Sequence, residues 1–401
     1  MNWKPLITDS NLKKQIIDKI NVIAEEVLRS PSNQPYLLGD NAGISIFWDY
    51  HAAVNKNIYS KICAVDSINS AFSDNLSQGP SWNFSSGLAG ILWAYNYLSK
   101  NNEISVSWAQ KIRERLIDVI YQNSISELKH GHYDYLHKGL GPIVYFLDQN
   151  IDTINKYIAK VLKTLNSKAE NVDEGITWID IERRTLDKKE TYNLGLSHGI
   201  ASIIALLSLV IEKDQSKVAQ EMLERVVGWL LAQKDNEPAK YLFPFSCPAQ
   251  KPYIGRVAWC YGDLGISVAL LRAGMITSND KWYNEAINIA INAAKIRGAK
   301  SGVLDACFCH GSAGNAHIFN RLYQYTNIEN FKEAAIYWFM QTLDFYDKHG
   351  YFKVMRRDIN TKKPKFETEY GILEGIAGVG LALLSAITDI EPKWDRCLLL
   401  S

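Results

Sequence analysis

No charge of one sign dominates this sequence of 401 residues: Lys and Arg total 44, Asp and Glu 43, a formal charge of +1. Such a balance gives no global attraction for nucleic acid or an anionic membrane surface, whose ligands are drawn by a basic excess. Long hydrophobic runs are missing too. The longest apolar stretch, Ile200 to Ile211, is too short to span a bilayer and reads as a buried helix, so no membrane insertion is expected. The opening residues MNWKPLITDSNLKKQII hold no apolar core followed by a small-residue cleavage site. No secretory signal is therefore expected, and a cytoplasmic location is. Cysteine is scarce, at six residues. In a reducing compartment these are thiols or metal ligands rather than disulfides.

What the sequence does contain is a repeat. A short Gly-bearing phrase leading into apolar residues recurs at Asp40–Gly43, Gly87–Gly90, Gly139–Pro142, Gly199–Ser202, Gly262–Gly265, Gly311–Gly314 and Gly375–Gly378. The segments that follow, among them ILWAYNYL, IASIIALLSLV, ISVALLRAGM and VGLALLSAI, are apolar nearly all round, as helices buried on both sides should be. Before each phrase stands a helix of another kind. Asn11 to Ser30 places Leu12, Ile16, Ile20, Ile23, Val27 and Leu28 at helical spacing, with charged residues between them. The unit reads as an amphipathic outer helix, a turn, and an apolar inner helix.

Seven such helix hairpins without strand-like alternation predict an all-α fold, an α/α toroid or double-layered barrel with short β-hairpin insertions. Length alone would suggest two or three domains. The repeat instead predicts a single domain over 1–401, with insertions at about 171–194, 235–258 and 351–370. In the first insertion ITWIDI and ETYNL are expected to pair as a hairpin. Pro238, Pro244, Pro248 and Pro252 keep the second from being helical. In the third, FKVMRRD and KFETEY read as a hairpin.

The two positions before each phrase are Leu38-Gly39, Ser85-Ser86, His137-Lys138, Ser197-His198, Cys260-Tyr261, Cys309-His310 and Leu373-Glu374. Equivalent positions of a ring share one end, and this end gathers cysteines and histidines. Cys260, Cys309 and His310 offer two thiolates and an imidazole, the donor set of a catalytic zinc with three protein ligands and an open position. Each precedes a helix N-terminus, which favours thiolate. The two cysteines are equally of a type that is often simply buried. Cys307, in Cys307-Phe-Cys309-His310, is a further thiol, expected in a strand-like stretch ahead of the phrase.

At WCYGDLG (259–265), CHGSAG (309–314) and NLGLSHGI (193–200) the sequence resembles the lanthionine synthetase C family, the LanC-type cyclases, and with the seven phrases the resemblance covers essentially the whole chain. It implies an α/α toroid carrying one Zn2+ per chain, held by Cys260, Cys309 and His310. It implies addition of a peptide cysteine thiol to dehydroalanine or dehydrobutyrine of a dehydrated precursor peptide, giving lanthionine or methyllanthionine. It places His198 on the family's catalytic histidine, Asp134 of YDYLHKGLG on its aspartate, Arg256 on its arginine and Tyr261 on the tyrosine of WCYG. A dehydratase and an exporter become expected partners beside the precursor. Two phrases depart from the pattern: the third ends Gly-Leu-Gly-Pro, and the first has Asp40 in place of Gly.

The chemistry is consistent with those assignments. A free thiol is only a few per cent thiolate near neutral pH, and zinc deprotonates it without oxidising it. Attack on the alkene β-carbon builds enolate charge, and the adjacent carbon then needs a proton. His198 suits that transfer, because histidine titrates near neutral pH. Asp134 can orient it or raise its pKa. Arg256 can stabilise the enolate or, alternatively, form an ion pair that braces the proline-rich loop. Tyr261 can donate a hydrogen bond. Two other functions compete: a zinc thiol transferase of prenyl type, with Trp82, Trp93 and Trp259 lining a lipid pocket, and a non-catalytic binder of thiol peptides or glutathione.

Overall fold

The computed structural model describes residues 2–29, 34–77, 81–101, 107–149, 153–182, 190–236, 240–357, 361 and 363–401. Two kinds of helix alternate along the chain. The apolar kind spans Asn41–Asn55, Leu88–Asn101, Pro142–Leu147, Ile200–Asp214, Asp263–Thr277, Ser312–Thr326 and Ile376–Ile387, each starting within or just after a phrase. The other kind spans Ser10–Leu28, Ile58–Ser77, Ser107–Lys129, Thr153–Asn166, Lys217–Ala232, Asp280–Lys295 and Glu329–His349. In Ile200–Asp214 every residue from Ile200 to Ile211 is buried, whereas Ser10–Leu28 buries only Ile16, Ile20, Ile23 and Val27. Side-chain caps start several of the amphipathic helices: Asp9 accepts from the Leu12 N–H at 2.8 Å, and Asn279 from Lys281 and Trp282.

The tight hairpin is not the expected one. Two-residue turns join each of four apolar helices to the amphipathic helix that follows, at Lys56, Gln215, Ser278 and Asn327. Each of these residues takes the left-handed conformation, with φ between 51° and 55°. None is glycine, so the usual sequence signal of a helix stop is absent. The phrases lie in the longer connections.

Residues 1–80, 94–103 and 297–395 form one compact unit. In it, Asn41–Asn55 packs on Ile58–Ser77, and Ser312–Thr326 on Glu329–His349. Ile376–Ile387 packs on Ser10–Leu28, Asn41–Asn55 and Ser312–Thr326. The second unit, residues 81–93, 104–296 and 396–401, holds Ile200–Asp214 against Lys217–Ala232 and Asp263–Thr277. Asp263–Thr277 lies in turn on Asp280–Lys295.

Neighbouring phrases are tied at one backbone position. The Ser197 N–H donates to the Cys260 carbonyl at 3.3 Å in the second unit. In the first, Cys309 N–H donates to Leu373 O at 2.7 Å and Leu373 N–H to Leu38 O at 2.9 Å. The third phrase requires a correction. A Cβ on Gly265, last residue of its phrase, would lie 2.3 Å from the Trp259 carbonyl oxygen, six residues earlier. The matching contact, 2.2 Å from Tyr135 O, belongs to Gly141. The phrase is therefore Lys138–Gly141, one residue earlier than expected, and Ser85 N–H accordingly donates to Leu136 O at 2.9 Å. Its two preceding residues are Leu136-His137, which puts His137 in the position of His198, Tyr261 and His310.

The insertions are partly as expected. Val354–Arg357 and Pro364–Glu367 form an antiparallel hairpin. No helix occurs over 240–258, with Pro238 outside the described residues. In the first insertion the pairing differs: Gly175–Thr177 pairs with Glu170–Val172, while Tyr192–Asn193 pairs with Ser246–Cys247 of the proline-rich loop. Between ITWIDI and ETYNL one backbone bond forms, Asp180 N–H to Thr191 O at 2.8 Å. Among the described residues no helix is long and apolar enough to cross a membrane.

Candidate acid–base and metal-ligand site

The second unit brings His198, Asp134, Tyr261, Arg256 and Cys260 into one neighbourhood. Asp134 sits in the turn before the third phrase, where its Oδ1 accepts from the backbone N–H groups of Leu136 at 2.7 Å and His137 at 2.9 Å. That Asx turn aims Oδ2 at the next phrase, and the His198 Nδ1–H donates to it at 2.6 Å. Burial pulls the His198 pKa down. The hydrogen bond and charge of Asp134, with the Cys260 and Asp180 charges, outweigh that and hold it above the ordinary histidine value. The His137 ring stacks on His198 at 5.6 Å between centroids and shares a 2.9 Å hydrogen bond with Ser85 Oγ. Burial keeps the His137 pKa below the usual value.

A cavity of about 390 Å³ opens beside this pair, lined by Asp134, His198, Tyr261, His132, Lys138 and Asp180 among others. Tyr261 accepts a hydrogen bond from Asn193 Nδ2 at 3.1 Å, and burial raises its pKa. Gly195 makes room for that ring, since a Cβ there would meet Tyr261 carbons at 2.7 Å. Asn193 also accepts from the Gly195 N–H at 3.0 Å, so one side chain shapes the loop and holds the tyrosine.

Arg256 reaches forward one turn, its Nη2 3.4 Å from Cys260 Sγ. Among the described residues no carboxylate pairs with Arg256. The proline-rich loop is held by Asp263, which accepts from the Leu242 and Phe243 N–H groups at 3.0 Å. Burial pushes the Asp263 carboxyl up to about 6. Gly262, with φ of 102°, makes the sharp turn between Cys260 and the helix, and a Cβ there would strike the Arg256 carbonyl oxygen at 2.4 Å.

In the first unit Cys309 and His310 directly precede the helix Ser312–Thr326. Cys307 lies in an irregular turn rather than a strand. Its thiol is buried, which pushes its pKa up to about 12, the Asp305 charge adding to the effect. Asp305, Cys307 and His310 bring ligand atoms within 4.8 Å of one another, a possible Cys/His metal cluster. Asp305 Oδ2 lies 3.6 Å from His310 Nε2 and Glu374 Oε1 4.0 Å from its Nδ1. Burial pushes the Asp305 carboxyl up, but His310 and the backbone donors outweigh it and hold the carboxyl below its usual range.

Sequence reasoning missed Asp305, Asn193 and Asp180, and it misplaced His137 by one position. The signal for the first two was the recurrence of an Asx residue shortly before a phrase, which Asp134 and Asn83 also obey. His132 pairs with Glu182 at 2.9 Å on the wall of the same cavity, and His130 bonds within its own helix at the Ser126 carbonyl. Trp93 and Trp259 are buried and donate to Asp148 and to the Leu398 carbonyl, while Trp82 is half-buried.

Among curated proteins, the chain is 25% identical over 344 residues to "Nisin biosynthesis protein NisC" of Lactococcus lactis subsp. lactis, covering 79% of this chain and 76% of that one. It is 22% identical over 205 residues to "LanC-like protein GCL1" of Arabidopsis thaliana, covering 50% of this chain and 42% of that one. Among solved structures, "Nisin cyclase" superimposes with a TM-score of 0.77 over 98% of both chains at 19% identity. That likeness shows the fold, which is the helical-toroid class. Residues 39–399 match the family described as "Lanthionine synthetase C-like protein", and the chain belongs to that family.

Proposed function

We propose that the protein is a zinc-dependent peptide cyclase. It adds cysteine thiols of a dehydrated precursor peptide to dehydroalanine or dehydrobutyrine, closing lanthionine or methyllanthionine rings. The observation that carries the reading is the His198–Asp134 pair, a histidine oriented at 2.6 Å by a carboxylate at the wall of a cavity. A protein that only binds thiol peptides has no use for such a proton-transfer group.

Cys260, Cys309 and His310 would hold one zinc ion per chain. The donors present suit it. Cys260 and Cys309 are buried, and a guanidinium stands 3.4 Å from the Cys260 sulfur as counter-charge to a thiolate. The ion, when bound, supplies a deprotonated substrate thiol at neutral pH. The chain's own residues do the rest. His198 takes the thiol proton and returns a proton to the α-carbon after the sulfur–carbon bond has formed. Asp134 fixes the His198 tautomer and supports its protonated form. Arg256 and Tyr261 stand ready to donate to the enolate oxygen.

The same reading makes the chain a single cytoplasmic domain, supplied by a dehydratase, with an exporter as a candidate partner. The test is incubation with a dehydrated precursor, followed by thiol alkylation and mass spectrometry. Ring closure leaves the mass unchanged and removes alkylatable thiols. A thiol count that stays constant with zinc-loaded protein would reject the activity.

A further inference from the structure

The His310 side chain is 17% exposed, and two carboxylates flank it. Asp305 faces Nε2 at 3.6 Å and Glu374 faces Nδ1 at 4.0 Å. The two are unequal. The Asp305 side chain is 1% exposed and that of Glu374 27%. Asp305 is also fixed by its backbone partners. Its Oδ1 accepts from the Cys307 N–H at 3.0 Å, which shapes the turn leading to Cys309. Its Oδ2 accepts from the Met355 N–H at 2.9 Å, within the strand Val354–Arg357 of the hairpin insertion. The next residue of that strand, Arg356, pairs with Glu374 at 2.5 Å and Glu369 at 3.3 Å. The hairpin thus anchors both carboxylates beside the His310 ring. Asp134 uses the same device, one oxygen capping its own turn and the other holding an imidazole.

We infer that Asp305 is a positioning residue for His310: its Oδ2, 3.6 Å from Nε2, faces that edge of the ring, favours the tautomer with the lone pair on Nδ1, and couples that imidazole to the 354–367 hairpin. Metal-ligating histidines characteristically give their second N–H to such a partner, whose loss costs roughly 10- to 100-fold in metal affinity. The inference rests on His310 being a zinc ligand, as proposed above. It also assigns Asp305 and Cys307 to support: the carboxylate orients, and the buried thiol packs.

The experiment measures zinc stoichiometry and chelator-competition affinity, plus the visible absorption of the cobalt-substituted protein, for wild type, Asp305→Asn, Asp305→Glu, Cys307→Ser and Glu374→Gln. Circular dichroism of each metal-free form reports folding. Asp305→Asn is expected to keep one zinc, bind it about 10- to 100-fold more weakly and shift the cobalt bands. Asp305→Glu, which keeps an acceptor and remains as a probe should the asparagine variant misfold, is expected to recover most of the affinity. Cys307→Ser is expected to leave the sulfur-to-cobalt band intact, and Glu374→Gln to change affinity less than Asp305→Asn. Wild-type affinity and an unchanged cobalt spectrum in folded Asp305→Asn would overturn the positioning role alone. Loss of the sulfur-to-cobalt band in Cys307→Ser would overturn it in favour of direct ligation by the Asp305–Cys307–His310 set. A wild-type protein that binds no zinc would overturn the zinc reading and this inference together.

Discussion

Asp134 divides its two oxygens: Oδ2 takes the His198 Nδ1–H at 2.6 Å, while Oδ1 caps the backbone of Leu136 and His137. Asp134→Asn retains an acceptor for the cap, so the turn survives, but the partner that raises the His198 pKa is gone. The His198 pKa is expected to fall, and cyclisation to slow by about 10²- to 10⁴-fold. The ring titration followed by NMR, set beside the turnover rate, checks both. The folded-state pKa is raised, so the pair stabilises the fold fully below the ordinary value of about 6.5. That stabilisation is lost as pH rises through the folded value, and the variant should lose this dependence. A His198 titration unchanged in Asp134→Asn would contradict the pairing.

How far the sequence revealed this site depends on what kind of contact builds each part. Helix class and order were readable, because burial on all sides leaves Ile200–Ile211 without a polar face. The phrase was readable because a close backbone approach favours glycine at its end, as at Gly43, Gly265, Gly314 and Gly378, although the fourth phrase ends in Ser202. Where two glycines compete, as Gly139 and Gly141 do, spacing alone cannot choose, and the contact with the Tyr135 carbonyl decides. The left-handed helix stops at Lys56, Gln215 and Ser278 carry residues without a backbone preference for that region, so local signals miss them. The pairing of Tyr192–Asn193 with Ser246–Cys247 is set by tertiary packing across an intervening helix pair, which strand alternation does not record. Asp305 escaped notice because its meaning lies in contacts to His310 and Met355, far apart in type and sequence.

Arg256 stands 3.4 Å from the Cys260 sulfur with no described carboxylate partner. Its positive charge is therefore directed at the thiol. Arg256→Gln is expected to slow alkylation of Cys260 by iodoacetamide in metal-free protein, because less of the thiol is ionised. If the guanidinium also donates to the enolate, turnover drops by about 10²- to 10³-fold. Arg256→Lys should not restore it, since an ammonium lacks the fork of donors that reaches two acceptors. Equal alkylation rates in wild type and Arg256→Gln would remove the first role.

The cysteines around the sixth phrase separate by metal analysis. Cys309→Ala is expected to lose zinc and cyclisation while circular dichroism stays that of the parent. Cys307→Ala should keep about one zinc per chain. Its buried thiol, raised to about 12, has no reason to ionise without an ion beside it. Zinc retained in Cys309→Ala and lost in Cys307→Ala would reverse the assignment and move the ligand two residues towards the N-terminus.

The C-terminal turn is held by a buried charge cluster whose removal should reach stability before it reaches chemistry. Asp395 accepts from His317 Nε2 at 2.8 Å and from Arg321 Nη2 at 2.7 Å, all three side chains being fully buried. Arg321 also donates to the Pro392 carbonyl at 3.2 Å, which closes the chain onto the helix Ser312–Thr326. Asp395→Ala would remove the buried carboxylate beside the Arg321 charge and leave it the partly exposed Glu391 at 3.2 Å, a loss of up to roughly 3–5 kcal/mol by the usual cost of breaking a buried pair. Arg321→Met with Asp395→Leu removes both charges and should cost less than Asp395→Ala alone. Burial lowers the His317 pKa, more than Asp395 restores it. Its contribution to stability is therefore complete above the ordinary value of about 6.5 and is lost as pH falls through the lower folded value. Urea unfolding of wild type and His317→Gln between neutral and mildly acidic pH measures this: the wild-type slope should flatten in the variant. Because His198 loses stabilisation as pH rises and His317 as pH falls, the two titrations oppose each other, and only the single variants can separate them.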